Sequence, residues 1–351
     1  MKHSGFSLIE LMVSLAILAT VTAIALRSTN GLQSQARYQG TTQSLNDIRS
    51  AIIGPANLRG PDGSAQVTGF VADTGRLPNF LIDGSDPLGA NGDPLNELLR
   101  QNNSIPNFGF VSSNTDPSVY IAVGWQGPYL RLGAGPSYIR DGWGNSFHCY
   151  DTSASGIPIT TGPIAQVSSW GSDNASGSTG DGYSKDVSIP NSDLTQGGFV
   201  TNALFNGRIS INVANDSYGS NVPNQTGPAP NPTYTDSSSV QHASIVVWVC
   251  YYGPDLTQVS PAHPVVDIPI QVTGPNWQYT LSDPKITIGP RMLKAYVLDG
   301  SVVTNSTTFR AAVAHAPDPL LGPVFFVSAL NITATGGGQT VPNLVLPHYS
   351  K

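Results

Sequence analysis

From Phe6 to Leu26 the chain runs twenty-one residues with a single ionisable side chain, Glu10. At a helical rise of ~1.5 Å per residue, such a run crosses a hydrocarbon layer of ~30 Å. The N-terminus is thereby committed to a membrane helix. A lone charge near mid-bilayer costs ~2.5–3.5 kcal/mol, so a retained one usually has a partner. A secretory signal peptide would need a small-residue cleavage site after the run, and "TAIALRSTNG" offers only a weak one, so the run is read as an anchor that stays. Lys2 and His3 before the span, with Arg27 after it, place the N-terminus in the cytoplasm.

Beyond the bilayer the helical period continues. Leu45, Ile48 and Ile52 fall at i, i+3 and i+7, while Arg37, Asn46, Asp47 and Arg49 take other faces. That stripe predicts a helix to about Ile53 whose second half packs on a globular head. Gly54-Pro55 ends it.

The rest of the chain is poor in charge. Asp, Glu, Lys and Arg make up 11%, against ~25% in ordinary soluble proteins. Gly (37) and Pro (28) are plentiful. Polar neutral residues must cover most of the surface, which suits β-structure joined by long loops outside the cytoplasm. With a net charge of −6 and no Lys/Arg cluster, nucleic acid is not an expected partner, because phosphate neutralisation needs such a cluster.

The leader carries a resemblance. "KHSGFSLIELMVSLAIL" is similar to the leader and helix start of type IV pilins and type II secretion pseudopilins. The resemblance implies a prepilin peptidase that cuts between Gly5 and Phe6 on the cytoplasmic side and methylates the new amino group of Phe6. Glu10 becomes the fifth residue of the mature chain. In that family its partner is the N-terminal amine of a neighbouring subunit, so Glu10 is expected to set axial register during assembly. Many members carry a helix-breaking Gly and Pro in mid-segment, and "LATVTAIALR" has neither.

Further motifs resemble the major pseudopilin. "VADTGRLP" is followed by "DPLNELL", where Asp93 can cap and Pro94 can open a short helix with Leu95, Leu98 and Leu99 on one face. "GWQGPYLR" and "DGWGNSFHCYD" resemble a family pair in which a turn leads into the first strands of the sheet. "VSSWGSDNASGSTGDGYSKDV" is similar to the family's C-terminal loop, which wraps calcium. Calcium takes six to eight oxygen ligands from a pliable loop, and Asp173, Asp181 and Asp186, with Ser169 or nearby carbonyls, supply that chemistry. An unliganded polar loop is the alternative.

A family member of ordinary size ends near Ile189. Here strand candidates continue: Arg208 to Val213, then "ASIVVWVCYYG", "VVDIPIQVTG", "LKAYVLDGSVV", "TFRAAVA" and "VFFVSALNITA". Strands at that spacing suggest a β-sandwich. The fold class expected is therefore α+β: a long N-terminal transmembrane helix packed on a pilin-like antiparallel sheet head, plus a C-terminal all-β, sandwich-like domain. The divisions are a leader at 1–5, the helix at 6–53 (6–26 spanning), the head at 54–196 and the appended domain at 197–351. Cys149 and Cys250 fall one in each domain. They either pair in an oxidising periplasm or are two small buried thiols.

Enzyme readings find little support. Ser282-Asp-Pro-Lys285 satisfies S-x-x-K, without a companion motif. His3, His148, His242, His263, His315 and His348 form no i, i+3 or i, i+4 pair of the zinc-binding kind. The chain is expected to be a filament subunit, not an enzyme. Its partners are prepilin peptidase, the inner membrane and other pilin or pseudopilin subunits, in a homo- or hetero-filament. Two settings remain: a periplasmic secretion filament, or a surface pilin whose C-terminal domain binds a glycan or other ligand.

Overall fold

A computed structural model describes residues 7–55, 67–80, 95–102, 105–132, 138–153, 156–159, 161–177, 182–198, 205–211, 234–235, 241–242, 245–256, 264–272, 278–281, 286–300, 302–314, 324–334, 339–340 and 344–346. Helix α1, Leu8–Ile53, is one unbroken rod of 46 residues, about 69 Å long at 1.5 Å per residue. Its first part, Leu8–Ala25, is apolar enough to span a membrane and is wholly unburied. Its last turns bury Leu45, Ile48 and Ile52, the stripe read from the sequence. The helix stops where expected. Gly54 takes φ 81° and returns its N–H to the Ser50 carbonyl, a conformation that glycine adopts without a Cβ penalty.

The head wraps this end of α1. Helix α2 (Phe70–Thr74) and helix α3 (Asn96–Leu99) are single turns. Strand β1 (Asn79–Phe80) pairs with β5 (Gly162–Pro163), and β2 (Gly109–Ser112) forms a hairpin with β3 (Tyr120–Val123). Strands β4 (His148–Tyr150), β6 (Gln166–Ser169) and β7 (Val187–Ile189) make a three-stranded antiparallel sheet. Helix α4 (Asn191–Gly198) follows and touches α1. The "VADT" segment is helical as part of α2. Its Gly75 cap, at φ 73°, sits in the left-handed region that closes a helix. The leucine-bearing helix is shorter than expected. Leu95 and Leu98 are buried, whereas Asp93 and Pro94 lie outside the described residues.

Beyond α4 the described chain forms β8 (Phe205–Ile211), β9 (Tyr234–Thr235), β10 (Gln241–His242), β11 (Ile245–Pro254), β12 (Val265–Val272), β13 (Gln278–Leu281) and β14 (Gly289–Asp299), then helix α5 (Ser306–Ala314). Strands β15 (Val324–Ala334), β16 (Gln339–Thr340) and β17 (Leu344–Leu346) complete it. One sheet is antiparallel in the order β12-β11-β14-β15. A second has β13 antiparallel to β8, with β16 and β17 running parallel to β8, so it is mixed. "TFRAAVA", expected as a strand, is α5. Asn305 caps it through Oδ1, which accepts from the Thr307 and Thr308 N–H groups at 3.0 Å. Phe309, Ala312 and Val313 are buried at helical spacing.

Buried contacts cross the boundary expected at 196/197. Leu256 and Ile288 belong to the head's core, while Val119 and Ile121 of the head belong to the core around Trp248, Tyr252 and Tyr296. The two cysteines stay in separate cores. Both thiols are buried, Cys149 in β4 among head residues and Cys250 in β11 beside the Tyr251 carbonyl. Each thiol is enclosed by the apolar neighbours of its own core.

Candidate functional site

Two places concern function: the start of α1 and the acidic loop after β6. At the first, Ser7 is the N-cap of α1 and its hydroxyl accepts from the Ile9 N–H at 3.3 Å. Glu10 reaches back so that Oε2 accepts the Ser7 N–H at 3.0 Å. This reciprocal capping box satisfies donors that a helix end leaves orphaned, and within lipid no water could take their place. The carboxylate also sits at the positive end of the helix dipole. Glu10 has therefore a local task besides any contact with a neighbour. The S-x-x-E spacing from Ser7 to Glu10 is the sequence signal of this cap. Gly5 and Phe6 lie outside the described residues.

At the second place, the "DGWGN" turn and the acidic loop are fastened to α1. Asp141 is buried; its Oδ1 accepts the Trp143 and Asn145 N–H groups at 3.0 and 2.7 Å. Its Oδ2 accepts the Ser169 hydroxyl at 2.6 Å. Gly142 donates its N–H to Thr41 Oγ1 of α1 at 2.8 Å. Beyond Trp170 the loop turns through Gly171, Asn174 and Gly177, all at positive φ. Tyr183, in a 3-10 turn over Gly182–Ser184, packs against Tyr38 of α1 with ring centroids 5.7 Å apart.

The expected calcium ligands are not alike in this arrangement. Ser169 does not fit: it is fully buried, and its hydroxyl is taken by Asp141 and by the Gly171 N–H at 3.2 Å. Asp173 Oδ1 accepts the Ala175 N–H at 3.2 Å, and Asp186 Oδ2 accepts the Gly177 N–H at 2.9 Å, closing the loop across nine residues. Asp181 lies outside the described residues, as do Ser282 and Lys285. Among the described residues no three His, Cys, Asp or Glu side chains gather at metal-binding distance. His148 instead stacks on Trp170, with centroids 3.4 Å apart, and its ring pKa is lowered by burial.

A cleft of about 650 Å³ lies between the end of α1 and the "GPYLR" turn, lined by Asp47, Thr68, Asp73, Gln126, Tyr129 and Arg131 among others. Asp73 Oδ2 accepts the Tyr129 hydroxyl at 2.8 Å. Burial raises the Asp73 carboxyl to about 6, against the lowering influence of that bond and of Arg291. No charge pattern in the sequence marks this pairing across 56 positions.

Residues 1–26 match the prokaryotic N-terminal methylation motif. The N-terminus is type IV pilin-like. An apolar helix long enough to cross a membrane lies behind it, and the motif is of the kind that prepilin peptidase processes in pilin-like subunits. No curated protein and no solved structure matches the chain.

Proposed function

We propose that this chain is a pseudopilin, a subunit of a short periplasmic filament of the type II secretion kind, and that it acts by assembly without catalysis. The observation that carries the reading is the joint one of the leader match and the docking of "DGWGN" on α1 through Gly142 and Thr41. In this reading "DGWGN", the stretch that resembles the major pseudopilin, helps hold the head to the helix. In this reading the membrane stores the subunit by α1 with the head in the periplasm. Glu10, already capping its own helix, takes the amino group of Phe6 from the next subunit as a second partner. The C-terminal sheets then face outward. The acidic loop is proposed to take calcium through Asp173, Asp181 and Asp186, with carbonyls in place of Ser169.

Glu10 has two tasks, and two substitutions separate them. Glu10→Gln keeps an acceptor suited to the capping box and removes the charge; Glu10→Val removes both. The expected outcome is that both variants insert in the membrane and neither assembles. Normal filaments from Glu10→Gln would reduce Glu10 to a cap. Gly5→Ala should leave the leader attached, and an intact Met1 in the wild-type mass spectrum would refute the processing assignment. Loss of exoprotein secretion on deletion supports the periplasmic filament, whereas filaments recovered from sheared cell surfaces would favour a surface pilin.

A further inference from the structure

We infer that the cleft between the end of α1 and the "GPYLR" turn binds a short peptide by its free ends, the ammonium group on Asp73 and Asp47 and the carboxylate on Arg131. The chain is sparing with charge, yet three charged side chains line this one space. They reach it from three parts of the head: Asp47 from α1, Asp73 from α2 and Arg131 from the turn after Pro128. A volume of about 650 Å³ is that of a ligand pocket.

Each of the three holds binding capacity in reserve. Asp73 is half-buried, and its Oδ2 accepts the Tyr129 hydroxyl at 2.8 Å. That hydroxyl itself accepts the Gln126 N–H at 3.1 Å. The Tyr129 proton is thereby committed, and the Asp73 carboxylate is fixed with Oδ1 unpartnered among the described residues. Arg291 lowers the Asp73 carboxyl only from a distance, since its guanidinium donates to the Ala72, Thr287, Ile288 and Pro290 carbonyls and to the Thr287 hydroxyl. Burial outweighs it, which leaves Asp73 short of positive charge. Asp47 uses Oδ1 to accept the Gln43 amide at 2.8 Å, and Oδ2 is left over. Arg131 is exposed and makes no hydrogen bond or ion pair among the described residues.

Opposite charges that line one space without closing on each other select the ligand. A phosphate or other anion would meet Asp47 and Asp73. A metal ion would find two carboxylates, and among the described residues no third metal-binding side chain joins them. An apolar molecule would take water from all three charges and give nothing back. A zwitterion satisfies every one: its ammonium pairs with the carboxylates, and its carboxylate fits the planar fork of the guanidinium. A peptide with free ends is a zwitterion with an extended polar body. Ser50, Thr68 and Gln126, which also line the cleft, offer hydroxyls and an amide to that body.

The test titrates the full chain in detergent micelles with trialanine, N-acetyl-trialanine and trialanine amide, read by saturation-transfer NMR. Trialanine should bind saturably, and blocking either end should weaken binding about tenfold or more. Two variants assign the ends. Asp73→Asn, which keeps an acceptor for Tyr129, should close most of the gap between the free and acetylated peptides and leave the amide's deficit as it was. Arg131→Gln should do the reverse. Neither peptide end titrates between about pH 5 and 7. Wild-type affinity should therefore fall below pH ~6 as Asp73 takes up its proton, and Asp73→Asn should abolish that fall. Absence of saturable binding would overturn the inference. So would equal affinity for free and blocked peptides, or losses in the two variants that ignore which end is blocked.

Discussion

Glu97 is a carboxylate with almost no access to solvent, and every bond it makes is accounted for. Arg76 grips it bidentately, Nη1 and Nη2 lying 2.8 and 2.9 Å from the two oxygens. The Asn79 N–H at 2.7 Å and the Asn102 amide at 3.2 Å complete the set. Removing one partner of such a pair leaves the other charged and buried, at a cost of ~3–5 kcal/mol. Arg76→Ala and Glu97→Ala should each lose that much stability in urea titrations of the detergent-held chain. Arg76→Met with Glu97→Leu should recover part of it. Nothing in "TGRLP" or "NELL" announces that these side chains meet, because the pairing depends on how a turn and a one-turn helix fold together. The contrast is Glu10, where cap and carboxylate lie three residues apart and were visible in the sequence. Asp73 behaves differently from Glu97. Its folded pKa, about 6, stands above its ordinary value of 3.8, so the native state binds the proton more tightly and this residue's contribution to stability falls as pH rises from about 4 to 6. Asp73→Asn should flatten that slope in a series of thermal midpoints.

Among the elements, α1 was the most legible and α5 the least. An apolar run followed by the stripe of Leu45, Ile48 and Ile52 and a closing Gly-Pro declares both the period of α1 and its end. In "TFRAAVA" seven residues cannot separate a short strand from a short helix by spacing. The cap at Asn305, one residue before the start of α5 at Ser306, decides it. The apolar half of the grip between α1 and the head, Leu45, Ile48 and Ile52, was legible from spacing, whereas the fastening of the "DGWGN" turn to α1 was not. The physical reason is a close approach: a Cβ on Gly142 would lie 2.0 Å from the Arg37 carbonyl of α1. Gly142→Ala must push the turn off the helix and break the bond to Thr41, an overpacking error of ~1–3 kcal/mol. The expected readout is faster proteolysis between α1 and the sheet of β4, β6 and β7; unchanged cleavage would show that the turn is not the fastening. The acidic loop, tied to the same sheet, gives a separate check. With calcium the unfolding midpoint should rise relative to a chelated sample, and Asp173→Asn should shrink the difference; equal midpoints would remove calcium from the proposal.

At the scale of the molecule, the strands beyond residue 204 are bonded to the head by buried polar groups, and this explains why two domains read from the sequence share cores. Motif endings and turn spacing show where a second fold begins, but say nothing about which faces it covers. Arg291 of β14 donates to the Ala72 carbonyl of α2 at 3.1 Å. Asp116, at the β2–β3 turn, accepts from Lys294 and from Tyr296, whose hydroxyl meets that of Tyr252 at 2.7 Å. Burial alone would raise the Asp116 carboxyl; hydrogen bonds from Lys294, Ser118 and Tyr296, with the Lys294 charge, overcome it and hold the pKa below 3.8. The sign follows: this carboxylate stabilises the junction above pH ~3.8, and that contribution disappears as pH falls through its lowered folded value. Asp73 works the other way between about 4 and 6. The Asp73 contribution should therefore grow from pH 6 to 4, and that of Asp116 should be lost only in stronger acid. Lys294→Met removes the charge that keeps Asp116 ionised, at ~3–5 kcal/mol for the broken buried pair, and moves the acid loss to higher pH. If limited proteolysis then freed the C-terminal sheets from the head while wild type released neither, the junction would be the contact that makes head and appended sheets one body. A variant that melts earlier but never separates would locate that unity in the apolar seam of Val119, Ile121 and Leu256 instead.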